Sequence, residues 1–253
     1  MVDPQVDALD EAGRLVREAS EQGIPLRLVG GMAVRFLCPG FPPRSREGQD
    51  LDLASLSRAR AALTRFLTDR GYVPDRVFNN LHGRKQLYFS SPDGRRGLDV
   101  LLDRVDMCHV LDFRDRLTRL PYTLDLTDLL LSKLQIVELN EKDLQDALYL
   151  LAAHPVRPGD EPGTIGLGRF ASVVGADWGW WRTVTGNLDR LTGLGEDERA
   201  RLVPPDPPFD PLGQARTLRE AADRAPKGVR WRLRAAVGER VPWYRLPEEV
   251  ARS

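Results

Sequence analysis

An apolar run, Arg27-Leu28-Val29, ends in Gly30-Gly31, and about twenty residues later Asp50-Leu51-Asp52 opens the next apolar stretch. This pairing constrains the fold more than any other feature of the chain. Two glycines without Cβ atoms let the backbone come close to a partner such as a phosphate. Aspartates at i and i+2 of a strand point to the same face, so both carboxylates can reach one metal ion. A strand that ends in glycines, then a helix, then a strand that opens with two carboxylates is the arrangement these residues require. They suggest a nucleoside triphosphate cradled by Gly30 and Gly31, with Mg²⁺ on Asp50 and Asp52.

A third carboxylate is available downstream. Arg84 to Phe89 reads as a strand, Ser91-Pro92-Asp93-Gly94 supplies turn chemistry, and Gly97-Leu98-Asp99-Val100-Leu101-Leu102 reads as a second strand. Residues 84–103 are therefore predicted to form a β-hairpin. A charge in the middle of an apolar strand is costly unless it is paired or bound to metal. That cost selects Asp99 over Asp103 or Asp106.

The flanking segments complete an α+β pattern. Val6, Leu9, Ala12, Leu15, Val16 and Ala19 recur at helical spacing, and Gly23 with Pro25 ends that helix. Leu26 to Val29 is a short strand, and Met32 to Leu37 starts a helix whose first amides face a phosphate. Ala59, Ala62, Leu63, Phe66 and Leu67 form another amphipathic stripe, closed by Gly71. Residues 124–153 lack Gly and Pro and read as two helices broken near Asn140. Residues 154–163 are a loop by composition, and the Trp-rich remainder reads as helical around 168–192 and 212–237. Pro204 to Pro208 is a stiff spacer. The predicted organisation is residues 1–154 as a core with its appended helices and 165–253 as a helical C-terminal region. Helical spacing favours packing over base stacking for the five tryptophans.

Composition narrows the function classes. Apolar residues make up 42% of the 253, charged residues 29%, and the formal net charge is zero, so no global field announces a nucleic-acid partner. Cys38 and Cys108 lack metal-ligand spacing and suggest no disulfide framework. No apolar run approaches the length of a membrane span, and the N-terminus lacks signal-peptide features, so a soluble, cytoplasmic protein is expected. The Walker-type loop, the Gly-x-Ser-x-Gly elbow and the Gly-x-Gly-x-x-Gly turn are all absent.

Gly-Gly followed by Asp-x-Asp and a later strand carboxylate resembles the nucleotidyltransferase superfamily. Leu129 to Gln135, with Lys133, followed by Glu141-Lys142-Asp143-Leu144-Gln145-Asp146 narrows this to the AbiEii-type, or MenT-type, bacterial toxin nucleotidyltransferases. The resemblance spans roughly residues 24–154 and implies a small mixed sheet flanked by helices. It implies one or two Mg²⁺ ions on Asp50, Asp52 and Asp99, and a triphosphate held by Gly30, Gly31 and Lys133. Asp146, or less favourably Asp143, would complete the acidic side of the pocket. Many relatives place Arg-x-Ser/Thr just before Asp-x-Asp; here Gly48-Gln49 stand there, and Arg44 or Arg46 would take the arginine's role.

The implied reaction moves a nucleoside monophosphate from an NTP to an acceptor. The toxin resemblance makes that acceptor the 3′ end of tRNA, with a cognate antitoxin as a further partner. Arg44, Arg46, Arg84, Lys85, Arg95 and Arg96 would supply the basic surface. The alternatives are adenylylation of a small molecule such as an aminoglycoside, AMPylation of a protein, or an inactive partner protein on the same fold.

Overall fold

The computed structural model describes residues 4–42 and 50–246, with side chains described from Ala8 onward. The chain begins with α1 (Pro4–Glu21), β1 (Leu26–Leu28), α2 (Gly30–Leu37), β2 (Leu51–Ser55) and α3 (Arg60–Thr68). Next come β3 (Val73–Pro74), α4 (Arg76–His82), β4 (Gln86–Ser90) and β5 (Gly97–Leu102). A small hairpin of β6 (Arg104–Asp106) and β7 (Val110–Asp112) leads to α5 (Leu126–Leu134) and α6 (Glu141–Ala153). The C-terminal region holds β8 (Val156–Arg157), β9 (Ile165–Gly166), α7 (Leu167–Ala176), α8 (Trp178–Thr192), α9 (Glu196–Leu202), α10 (Pro211–Arg224) and α11 (Val229–Val237).

The result is the expected α+β architecture. A five-stranded mixed sheet, ordered β1-β2-β5-β4-β3, is flanked by helices and followed by a helical region. Within this sheet β2 and β5 run parallel and the other pairings are antiparallel. The predicted hairpin is present as β4 and β5, and the predicted break between α5 and α6 falls at Asn140. That side chain caps α6 by accepting from the amides of Lys142 and Asp143.

Period-two alternation gives the sheet two different faces. In β4, Leu87 and Phe89 are buried while Gln86, Tyr88 and Ser90 are half-buried. By register, Leu87 and Phe89 share their face with Leu98, Val100, Leu51 and Leu53, all inaccessible or nearly so. The other face carries Asp52, Asp99, Gln86 and Tyr88. Segregating the carboxylates in this way leaves the leucine face to supply the sheet's hydrophobic stabilisation.

Sequence patterning did not anticipate α4 or the β6–β7 hairpin. Asn79 of α4 explains part of this. Its amide donates to the Tyr88 carbonyl at 3.0 Å and its oxygen accepts from the Tyr88 amide at 2.7 Å. The Asn79 side chain thus pairs the Tyr88 backbone just beyond β3, sharing its carbonyl with the Asp75 amide. Residues 154–163, read as loop, contain β8, which pairs in parallel with β9.

Charged and aromatic clusters tie the C-terminal region to α5 and to the β6–β7 hairpin. Arg116 donates to Asp125, Asp128 and Asp160, and Arg169 of α7 donates to Asp128. Asp125 and Asp128 are fully buried, so these guanidiniums neutralise carboxylates that water does not reach. Buried His109 lies on Trp180, with ring centroids 5.1 Å apart, and its Nε2 is 2.9 Å from Thr183 Oγ1. Trp178 and Trp180 are buried, as packing-type tryptophans should be.

Candidate active site

Asp52 and Asp99 are direct partners across the parallel β2–β5 ladder. Residues opposite one another share a face of the sheet, so both carboxylates stand on its polar side. Asp99 is buried and Asp52 half-buried. The Nε2 of Gln86 donates to both oxygens of Asp99, at 2.8 and 2.6 Å. A neutral amide spanning both oxygens holds the carboxylate in one orientation without removing its charge.

Gly30 closes the other side of Asp52. The glycine pair does not form a separate turn before the helix, because Gly30 and Gly31 are themselves its first two residues. Gly30 has φ +64°, and an added Cβ would stand 2.7 Å from Asp52 Oδ2. Both the backbone conformation and the closeness of the carboxylate exclude a side chain here. The N-terminal amides of α2 have no intrahelical acceptors, which is the property that suits a helix start to an anion.

Asp50 sits one residue before β2, and its Oδ1 accepts from the Gly97 amide at 2.9 Å, extending the ladder. An added Cβ on Gly97 would stand 2.3 Å from the Tyr88 hydroxyl and 2.8 Å from Asp50 Oδ1. Glycine at this position makes room for both groups.

Among the described residues, no group of three His, Cys, Asp or Glu side chains is placed to hold a metal ion. The donor set on this face of the sheet is the oxygens of Asp52, which stands against Gly30, and of Asp99 beside it. Mg²⁺ is commonly held by one or two carboxylates together with substrate phosphates. These residues therefore fit a Mg²⁺ ion that arrives with a nucleotide better than a preformed all-protein cage.

Lys133 and Asp146 form a second cluster. Lys133 Nζ lies 3.0 Å from Asp143 and 3.0 Å from Asp146, the latter 1% exposed. Burial pulls the Lys133 pKa down, but the two carboxylates outweigh it and the net direction is upward. Cys38, just past α2, is pushed up to about 12, first by burial and then by the Asp146 charge. The cluster thus lies beside the C-terminal end of α2, and Asp52 beside its N-terminal end. Eight residues at 1.5 Å rise separate those ends by about 12 Å.

Arg46, like Arg44 and Ser45, falls outside the described residues. Of the remaining basic residues expected near the cleft, Arg96 is turned onto Glu11 at 2.8 Å and Lys85 onto Asp106 at 2.9 Å. Arg84 and Arg95 are exposed. Gln86 and Tyr88 were missed from the sequence. Their alternation with Leu87 and Phe89, counted back across the hairpin turn from Asp99, would have placed both on the carboxylate face.

No protein-family profile matches the chain, and no curated protein matches it. Among solved structures, a STING-associated CdnE c-di-GMP synthase from Capnocytophaga granulosa shares 12% identity, with 88% of this chain and 81% of that one covered. The TM-score is 0.29, too low for the likeness to carry any conclusion about fold or function.

Proposed function

We propose that the chain is a nucleotidyltransferase that moves a nucleoside monophosphate from an NTP to an acceptor and releases pyrophosphate. One observation carries this reading: Asp52 and Asp99 stand side by side on the polar face of the sheet, with Asp52 packed against Gly30 at the start of α2. The arrangement juxtaposes oxygen donors for a divalent cation with the N-terminal amides of a helix for a phosphate.

Each residue has a role in this reading. The amides of Gly30 and Gly31 receive the phosphates. Asp52 and Asp99 hold Mg²⁺, which when bound neutralises phosphate charge and lowers the barrier to attack by the acceptor hydroxyl. Gln86 fixes the orientation of Asp99, and Asp99 is the base placed to take the acceptor's proton. Asp50 braces β2 against β5 and is available to the metal if its bond to Gly97 opens. Lys133 and Asp146 are the distal nucleotide contacts, a role that requires their ion pair to open to a phosphate. Arg46 would be a further nucleotide contact.

The resemblance to toxin nucleotidyltransferases supports the 3′ end of tRNA as acceptor, with exposed Arg84 and Arg95 as phosphate contacts. The test is transfer from α-labelled ATP, CTP, GTP and UTP to total tRNA with Mg²⁺, with Asp52→Asn as control. Labelled tRNA from the unmodified protein alone is expected. Mg²⁺-dependent NTP binding without labelled RNA would replace tRNA by a small-molecule or protein acceptor. Absence of NTP binding would overturn the enzyme reading itself.

A further inference from the structure

The last described helix presents an apolar stripe to solvent. Val229, Leu233 and Val237, spaced by four along α11, are 74%, 67% and 40% exposed. Four-residue spacing stacks them on one helical face. The opposite side of α11 is half-buried and makes specific contacts with α8. Trp231 meets Trp181 edge-on with ring centroids 5.5 Å apart, and the Arg234 guanidinium lies 4.6 Å from the Trp178 ring centroid. Trp231 and Arg234 thus hold α11 to α8, and Val229, Leu233 and Val237 face outward.

The charge around the stripe is one-sided. The formal net charge of the whole chain is zero, yet residues 225–246 carry six cations against the single carboxylate of Glu239. Glu239 is already taken by Arg182 at 2.5 Å. Arg230 and Arg232 are exposed beside the stripe, and Arg240 and Arg245 are exposed just beyond it. None of these four guanidiniums has a hydrogen bond or ion pair among the described residues. Guanidinium groups recognise carboxylates by two parallel hydrogen bonds.

We propose that α11 is a docking surface for an amphipathic helix of a partner protein, one with aliphatic residues at i, i+4 spacing flanked by Glu or Asp. Charge complementarity and the stripe's helical period select this occupant. A second copy of the same surface is a poor occupant, because a two-fold contact sets arginine against arginine. A membrane-surface helix places its Trp on the outward apolar face, whereas Trp231 is turned inward. The proposal is independent of nucleotide transfer at Asp52.

Fluorescence anisotropy with the full chain tests this. The probe is a synthetic helical peptide of about five turns with Leu on one face and Glu on both flanks. Its controls are a scrambled peptide of the same composition and the same helix with Lys in place of Glu. Saturable binding of the first peptide alone is expected. Leu233→Glu should weaken it at least about tenfold, as loss of one interface anchor does, and Leu233→Met should leave it unchanged. Residue 233 is exposed, so unchanged circular dichroism and Tm are expected in both variants. Equal binding of the scrambled peptide, insensitivity to Leu233→Glu, or no binding overturns the proposal. So does preferential binding to anionic phosphatidylglycerol vesicles or to single-stranded RNA.

Discussion

Gly30 and Asp52 occupy adjoining space so closely that a single added methyl group on the glycine would stand 2.7 Å from the carboxylate oxygen Oδ2. Gly30→Ala therefore does two separable things. The left-handed backbone, φ +64°, costs about 1–2 kcal/mol for a residue with a Cβ. Displacement of Asp52 by an ångström-scale shift costs about 10²-fold in rate. The expected outcome is a modest fall in Tm with a much larger fall in nucleotidyl transfer. Thermal unfolding and labelled-NTP transfer, measured on one preparation, check it.

Gln86→Leu removes the amide that spans both oxygens of Asp99 while keeping an apolar group of similar size. Loss of a partner that orients a ligating carboxylate typically costs about 10–100-fold. The expected result is a fall of that size in transfer rate, with a higher Mg²⁺ requirement and an unchanged circular dichroism spectrum. A Mg²⁺ titration of the rate reads both effects.

Lys133→Met leaves Asp143 and Asp146 facing one another without their cation. Breaking a buried pair from one side costs about 3–5 kcal/mol, because the carboxylates lose the cation that compensates their charge. Chemical denaturation should show a loss in that range. Adding Asp143→Leu and Asp146→Leu to the same chain should recover most of it.

Stability should decline below neutral pH. Burial pushes His109 down to about 4, and His154 is also lowered by burial. A histidine with a depressed folded pKa takes up its proton more readily when unfolded, so its contribution is complete above about 6.5 and is lost as pH falls toward 4. At about 1.4 kcal/mol per unit, His109 accounts for up to about 3 kcal/mol over that window. Denaturation midpoints between pH 7 and pH 4.5 should fall for the unmodified chain and fall less for His109→Gln.

The strand position of Asp99 was legible because it interrupts an apolar run, where a charge must have a reason, and that of Asp52 from the Asp-x-Asp spacing; the structure sets the two opposite one another on β2 and β5. The β4–β5 hairpin was legible for a related reason: Pro92 and Gly94 mark the turn, and the alternation on either side fixes the register. Helix α4 was not legible. It has seven residues and only Phe78 and Asn79 buried, too few for a helical period to emerge. The partners of Lys133 are also invisible to periodicity. Asp143 and Asp146 were recognised as neighbours in sequence, but only the packing of α5 against α6 makes them ion-pair partners of that lysine. The outward face of α11 escaped notice for the opposite reason, since a Val-Leu-Val stripe reads as buried until the structure shows it exposed.

The alternation in β4 and β5 makes the site and the core depend on one parity. Leu87, Phe89, Leu98, Val100 and Leu102 occupy one set of positions, and Gln86, Tyr88, Asp99 and Leu101 the other. Removing a single residue from β5 upstream of Asp99 would turn the carboxylate into the leucine layer and bring leucines to the nucleotide side. Removing two would shorten the strand and preserve both faces. Length changes in these strands are therefore tolerable only in even steps, and any such change that retains the fold also keeps Asp99 on the side of Asp52.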